Sequence, residues 1–587
     1  MGKNQQFTLI DSKKSRATII YPSDSPESEQ YAARELQRYL QEITGAEVSL
    51  LKDSNVRKGK IKNESNSPGI ADQEHINYII IGSNRLLDQN YPGLDEKIKE
   101  LDQDSFLLKT IDSNLIIAGD RPRGTLYGVY SFLEDYLGCR WPAADCEHVP
   151  VRETVTIPHI DKKQGPGFQF RDILYREAED GDWAAKNRLN TEHPDLQEKH
   201  GGKLTYGLFV HSFYELLPPE EYYADHPEYF ALHDGERRRE KGQLCLSQPD
   251  VFSIVLNNLK QRIEQNPEAD IFSVSQNDNA AYCECEDCRR IDEQEGSPSG
   301  SLLHFVNKIA REIEKDYPDI YIDTLAYWYT RKPPAHIEPH DNVIIRLCDI
   351  ECCFLHPLIS CAQNQSFVRD LKQWQDITER LHIWDYVVNF RHYLMPWPNL
   401  YVLQPNIQLF WENNVISLFE QGNRSGKGEF ASLRSYLLAR LMWNPRADFD
   451  RLIDEFLTCF YGRAAPPLRE YIDLMHDRIG ELPDYHQGIF DPPEREFFSG
   501  QLMNRAHRLI QEALRLADNN KIRNRVHLVE IQLDYVRMYL MKEEEAEGYK
   551  DFRKLFFKKA KSLNIPRITE WKDLEESRSE WKAPNND

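Results

Sequence analysis

The stretch Val343 to Leu358, VIIRLCDIECCFLHPL, joins a strand signature to a burst of reactive side chains. Val343, Ile344 and Ile345 form a β-branched run, the pattern of a strand covered on both faces in a parallel sheet. Arg346, Cys348, Asp349, Glu351, Cys352, Cys353 and His356 follow at once. In an α/β barrel, the groups that do chemistry sit at the carboxyl ends of strands and converge on one mouth. Asp349 and Glu351 are two residues apart, so an extended backbone would point both to the same side. Two carboxylates at such a place suit cleavage of a glycosidic bond, which needs a protonated acid and a second group to stabilise positive charge. The plainer alternative is a solvated Asp and a structural Glu bonded to an Arg of a neighbouring strand.

Composition narrows the choice. The chain has 587 residues and a formal net charge of -22. Two to four domains are expected at this length. The acidity disfavours nucleic acid and anionic membranes, and it is compatible with a neutral substrate such as a sugar. No apolar run approaches the roughly 20 residues of a membrane span, so no membrane insertion is expected. The start, MGKNQQFTLIDSKKSRATIIYP, has no apolar signal core. The expectation is a cytoplasmic protein, or a secreted, periplasmic or cell-surface one whose signal has been removed. Eleven cysteines in a chain this long do not make a disulfide scaffold. Cys283, Cys285 and Cys288 could supply three thiolates to a structural zinc, with a fourth ligand from elsewhere. The competing reading is buried thiols that shape a loop. No cofactor is expected.

The elements that must position these groups follow in order. Residues 1–160 read as an α/β accessory domain. Ala17 to Tyr21 and Tyr78 to Ile81 are strands, Phe106 to Leu108 and Asn114 to Ala118 a hairpin-like pair, and 52–75 a polar loop. Ser28 to Thr44 is an amphipathic helix ended by Gly45, and Gly124 to Leu137 a second helix. From 165 to 425, strands and helices alternate. Candidate strands are Phe168 to Leu174, Leu189 with its neighbours, Thr205 to Val210, Ile271 to Ser275, Tyr321 to Tyr327, Val343 to Leu347, Leu381 to Tyr386 and Val415 to Phe419. Asp250 to Glu264 and Ser301 to Lys315 are the clearest helices between them. Eight strands predict a (β/α)8 TIM-type barrel. Residues 426–587 read as a helical C-terminal domain, with helices over Phe430 to Met442, Phe449 to Phe460, Leu468 to Ile479, Arg495 to Ala517 and Ile522 to Met541. Its Met, Leu and Tyr stripes read as packing surface, and the residues after about 575 as loose.

The strand ends carry Arg171 and Asp172; His211; Gln276, Asn277 and Asp278; Tyr327 and Trp328; Asp349 and Glu351; Trp384, Asp385 and Tyr386; and Glu420 and Gln421. Aromatic rings stack on the apolar face of a pyranose, while Asp, Asn and Gln take its hydroxyls.

Two resemblances add to this reading. Ala33 to Gly45, the I-I-G after it, and Asp120 to Trp141 (DRPRGTLYGVYSFLEDYLGCRW) are similar to the small domain that precedes the barrel in β-hexosaminidases and α-glucuronidases. SVSQNDNAAYCECEDC (Ser273 to Cys288), RLCDIECCFLHPL (Arg346 to Leu358) and IWDYVVNFRHYLMPWPNL (Ile383 to Leu400) resemble a bacterial family first catalogued as a domain of unknown function. Part of it is now glycoside hydrolase family 163, endo-β-N-acetylglucosaminidases acting on complex N-glycans. The resemblance implies an oligosaccharide or glycoprotein N-glycan substrate. It also implies a retaining mechanism in which the 2-acetamido oxygen attacks the anomeric carbon and forms an oxazoline. Glu351 is then the expected acid/base, kept protonated by burial between Ile350 and two thiols. Asp278 or Asp349 would orient the acetamide. His211, Asn277, Tyr327, Trp328, Arg346, Trp384, Asp385, Tyr386, Asn389 and Glu420 are the expected substrate contacts. Three other readings remain open: an exo-acting hexosaminidase or α-glucuronidase-like enzyme, for which Arg171, Arg346 and Arg391 could meet a carboxylate; a non-catalytic carbohydrate-binding protein; and a zinc hydrolase using the cysteines.

Overall fold

The computed structural model describes residues 6–56 and 78–581. Most of the loop expected over 52–75 therefore lies outside the described residues. The first layer is a six-stranded sheet of β1 (Thr18–Tyr21), β2 (Ser49–Lys52), β3 (Tyr78–Ile81), β4 (Phe106–Ile111), β5 (Asn114–Gly119) and β6 (Asp161–Gln164), in the order β6-β4-β5-β3-β1-β2. Helix Glu27–Thr44 buries Ala32, Leu36, Tyr39, Leu40 and Ile43, the face its spacing predicts. Gly45 ends it at φ 74°, a left-handed conformation that costs glycine little. Helix Gly124–Phe132 is buried throughout and widens into a π-helical turn over Leu133–Leu137.

The second sheet is wholly parallel and has seven strands: β7 (Phe170–Leu174), β8 (Tyr206–Leu208), β9 (Ile271–Ser273), β10 (Tyr321–Ala326), β11 (Val343–Cys348), β12 (Leu381–Tyr386) and β13 (Ser417–Gln421). Their order, β7-β13-β12-β11-β10-β9-β8, is that of a barrel opened between its first strand and the next. Every residue of β11 is buried, as its apolar run requires. Helices Pro249–Gln265 and Ser299–Asp316 are two of the crossovers.

The segment around Leu189, expected as the second of eight strands, is irregular. It still occupies the gap: the Asn190 amide donates to the Arg171 carbonyl of β7, and the Leu204 amide, just before β8, donates to the Asn190 carbonyl. The reason it is not a strand is what it holds. Arg188 sits at φ 64° and pairs with the buried Glu134 of the N-terminal layer. The Asn190 side chain donates to Asp104 at 2.8 Å. Asp104 also accepts from Arg123 at 2.8 Å and from Arg171 of β7 at 2.7 Å. Asp104 and Arg171 are fully buried, so this cluster locks the N-terminal layer to the barrel.

Although burial opposes ionisation of Asp104, Arg123 and Arg171 outweigh it and hold its carboxyl below the usual range. A depressed folded value contributes stability above the unfolded carboxylate range and loses it as pH falls through the folded one. Asp104→Ala, which strands a buried guanidinium, is expected to cost about 3–5 kcal/mol. Thermal melting at neutral pH checks this, and the wild-type advantage should shrink in strong acid.

Beyond the barrel come helices Ala431–Trp443, Phe449–Tyr461, Ala465–Glu481, Gly500–Leu516, Asn520–Glu543 and Tyr549–Ser562. Pro466 and Pro467 lie in the first turn of the third, where proline is tolerated. Within the end expected to be loose, a capped helix, Leu574–Glu580, forms with Asp573 as its N-cap, and residues 582–587 lie outside the described residues.

Candidate active site

A cavity of about 510 Å³ opens at the carboxyl ends of β9 to β13. Asp278 follows β9, Tyr327 and Trp328 follow β10, and Cys348 and Ile350 lie at the end of β11. Trp384 and Tyr386 come from β12 and Gln421 from β13. His211, after β8, completes the barrel's share with Leu325 and Phe390. The volume is in the range of a small-ligand site.

The polar groups are tightly arranged. The Tyr327 hydroxyl donates to Asp278 Oδ1 at 3.0 Å. Trp384 Nε1 donates to Gln421 Oε1 at 2.8 Å, and Gln421 Nε2 donates to Glu570 Oε1 at 3.3 Å. Burial, with the Asp278 charge adding to it, moves the Glu570 carboxyl above its ordinary value. Trp328 stacks on Tyr327 with ring centroids 4.8 Å apart, and Trp384 is nearly parallel to Tyr386. His211 and Trp328 both have positive φ, 54° and 51°. Backbone held in that region at a cleft is a mark of a built site.

Ile489, Phe490, Glu570 and Trp571 also line the cavity, and they come from the C-terminal region. The loop after β12 brings them in. The Phe390 amide donates to the Ile489 carbonyl at 2.9 Å, and the Phe390 carbonyl accepts from the Glu570 amide at 2.9 Å. Asn389 Nδ2 donates to the Asp491 carbonyl at 2.8 Å. Trp571 is 55 % exposed and Trp328 37 %. Two half-open indoles at one mouth offer stacking faces to a sugar ring. Nothing in the local pattern of the C-terminal residues marks this role, because the contacts that bring them in are long-range.

The remaining expected residues sit elsewhere. Strand β11 ends at Cys348, and the Cys352 amide bonds back to the Asp349 carbonyl at 2.8 Å. Asp349 and Glu351 therefore stand on a turn, where the two-residue repeat does not hold. Glu351 is not buried between thiols. Its side chain is 48 % exposed and bonded to Arg331 at 2.9 Å, beside the cavity wall formed by Ile350. Asp349 points inward, toward Asp385 and Glu420. All three are buried and none lines the cavity. Asn277 is also tied up, its side chain accepting from the Tyr214 amide and donating to the Gly242 carbonyl. Arg346 lies inside the barrel, 3.0 Å from Asp323 and against the rings of Tyr206, Phe209 and Trp384. Asn389 fastens a loop, as described. His211, Tyr327, Trp328, Trp384 and Tyr386 do line the cavity, together with Asp278.

A larger cleft of about 670 Å³ lies between the loops after β7 and β13 and the C-terminal helices. Among its charged groups, Glu177 accepts from Ser432 and from the Ala144 amide, Arg525 bonds Asp145 at 2.9 Å, and Lys427 donates to the Leu563 carbonyl. The smaller cavity is the candidate because it lies at the carboxyl ends of the parallel strands, with aromatic and carboxylate groups converging on it.

Beside it, Cys283, Cys285 and Cys288 meet Cys245, the fourth ligand that the sequence did not identify. The four sulfurs lie within 4.8 Å of one another, and Cys245 to Cys285 is 3.6 Å. Ligands at 2.3 Å around tetrahedral zinc stand about 3.8 Å apart. The Leu232 amide and Arg237 point at Cys283 Sγ, the kind of outer support that thiolates in metal sites receive. The set fits a closed structural zinc, which leaves no open position for catalysis. Purified protein is expected to lose one zinc per chain on Cys285→Ser, read by elemental analysis.

No curated protein matches the chain. Residues 5–132 match the family described as Glycosyl hydrolase family 67 N-terminus. Among solved structures, the chain is similar to a family GH115 4-O-methyl-α-glucuronidase, BtGH115A, with specificity for decorated arabinogalactans. The TM-score is 0.59 at 12 % identity, over 96 % of this chain and 78 % of that one. A GH138 enzyme targeting pectin rhamnogalacturonan II matches at a TM-score of 0.42 and 10 % identity, over 93 % and 74 %, too distant to bear on the argument. The architecture is glycoside-hydrolase-like. Residues 141–473, more than half of the chain, match the family described as Domain of unknown function (DUF4838), and the chain belongs to it.

Proposed function

We propose that the chain is a retaining glycoside hydrolase that cleaves β-linked N-acetylglucosamine, as an endo-β-N-acetylglucosaminidase on N-glycans, with help from the substrate's own acetamide. The observation that carries this reading is Asp278, held by the Tyr327 hydroxyl in an aromatic cavity that it shares with Glu570. In the proposed reaction Asp278 accepts the acetamide N–H and stabilises the charge that grows on it. The acetamide oxygen bonds to the anomeric carbon as the bond to the leaving oxygen breaks. Glu570 gives its proton to that oxygen. A water then opens the oxazoline, losing its proton to Glu570, which restores the starting state.

The fold likeness to a 4-O-methyl-α-glucuronidase favours a second reading, cleavage of a uronide. A uronate carboxylate calls for a cation, and the described lining contains no Lys or Arg. Arg171 and Arg346 are spent on Asp104 and Asp323, and Arg391 stands outside over Phe490. Mass spectrometry of glycans released from an N-glycoprotein tests the proposal, alongside p-nitrophenyl N-acetylglucosaminide and p-nitrophenyl glucuronide. Intact glycans ending in one N-acetylglucosamine are expected. Turnover of the glucuronide alone would overturn it, and binding of glycan without turnover would leave a carbohydrate-binding protein.

A further inference from the structure

Cys353, His356 and Cys361 follow β11 in the spacing C-x2-H-x4-C. The fold brings His486 to them from the C-terminal region. One ligand atom of each lies within 4.8 Å of the others. His486 Nδ1 is 3.2 Å from Cys353 Sγ and 3.7 Å from Cys361 Sγ, and His356 Nδ1 is 3.4 Å from Cys353 Sγ. In a tetrahedral zinc site with two sulfur and two nitrogen ligands, each sulfur stands about 3.6 Å from each nitrogen. Both cysteines are free and buried, and both histidines are half-buried.

The backbone supports the arrangement. The fully buried Asn364 accepts from the Cys353 amide at 2.7 Å and donates to the Cys353 carbonyl at 2.8 Å. The Phe354 amide donates to the Gln487 carbonyl at 3.0 Å, so the two chain segments are already joined beside the four side chains. Three and four residues after His486 come Ile489 and Phe490, which wall the cavity.

We propose that Cys353, His356, Cys361 and His486 bind a structural zinc ion that pins the 486–490 loop to the barrel and so fixes one wall of the cavity. Two neutral imidazoles and two thiolates leave the ion no net charge to balance. Four protein ligands close its coordination, which sets the ion apart from a catalytic metal. Nothing in this depends on which glycoside is cleaved.

The test is X-ray absorption at the zinc edge on the full-length protein purified without chelator, with zinc per chain measured in parallel. Two zinc ions are expected, with an average shell of three sulfurs and one nitrogen, since this centre adds two of each to the four-cysteine centre. His486→Ala should then remove one zinc and leave a shell of sulfur alone. It should also raise KM about tenfold on whichever glycoside the wild type cleaves. A wild-type shell without nitrogen would overturn the proposal. So would a disulfide between Cys353 and Cys361 in a non-reducing peptide map. Neither result touches the glycosidase reading, which is judged on turnover by wild type.

Discussion

Glu570→Gln is expected to lower kcat on a natural N-acetylglucosaminide by about 10²–10⁴-fold, the usual worth of a positioned proton donor. The loss should be much smaller on a p-nitrophenyl glycoside, whose leaving oxygen departs without a proton. Asp278→Asn should lose comparable activity on both substrates, because orienting the acetamide matters whatever the leaving group. Glu351→Gln separates the two candidate donors. It is expected to change kcat by less than about tenfold, since Glu351 stands outside the cavity and is engaged by Arg331. If Glu351→Gln gives the leaving-group signature and Glu570→Gln does not, the donor is Glu351. The rim would then have to rearrange around substrate. The pH profile is a second check. Burial moves Glu570 up, and a donor works only while protonated, so kcat should fall on the alkaline side. That limb should disappear in Glu570→Gln.

The barrel was legible where its strands are simplest. Val343 to Ile345 and the run Leu381 to Tyr386 are buried on both faces, and short apolar runs at helix-length intervals suffice to place such strands. Leu189 was not legible, because Arg188 and Asn190 are committed to Glu134 and Asp104 of another layer. Of the strand-end residues, Asp278, Tyr327 and Trp384 line the cavity. Arg346 lies inside its strand and faces Asp323, and Asp349 and Glu351 stand where the chain turns after Cys348. Phe490, Glu570 and Trp571 reach the mouth through backbone bonds to Phe390, and Cys245 and His486 meet Cys285 and Cys361 from 40 and 125 residues away. Spacing along the chain carries no trace of such contacts.

Asp385→Asn is expected to make the protein more stable at pH 8, although it alters a buried residue under the cavity floor. Asp349 and Glu420 have no donor on any of their four oxygens. The groups they face are carboxyls: Asp385 stands against both. Such contacts exist only if protons lie between the oxygens, because like charges this close cannot all ionise. Burial first, and Asp385 second, push Asp349 and Glu420 well up, while burial lifts Asp385 to about 6. The sign follows. A carboxyl whose folded value is raised contributes its stability below the unfolded value and loses it as pH climbs toward the folded one. Asp385 ionises first, so between about pH 4 and 6 its burial becomes a cost that reaches about 3 kcal/mol. An asparagine there keeps the acceptor for the Tyr386 amide and donates to a neighbouring carboxyl without ever carrying charge. Buried His382 and His392 and part-buried His476 all have lowered values and act in the opposite sense over an overlapping range. The informative quantity is therefore the difference between the wild-type and Asp385→Asn melting curves at each pH. That difference should be small at pH 4 and grow in favour of the variant up to about pH 6, then level off. A variant that melts below wild type at pH 8 would mean that the negative charge is stabilised where it lies, and that the three carboxyls serve a cation.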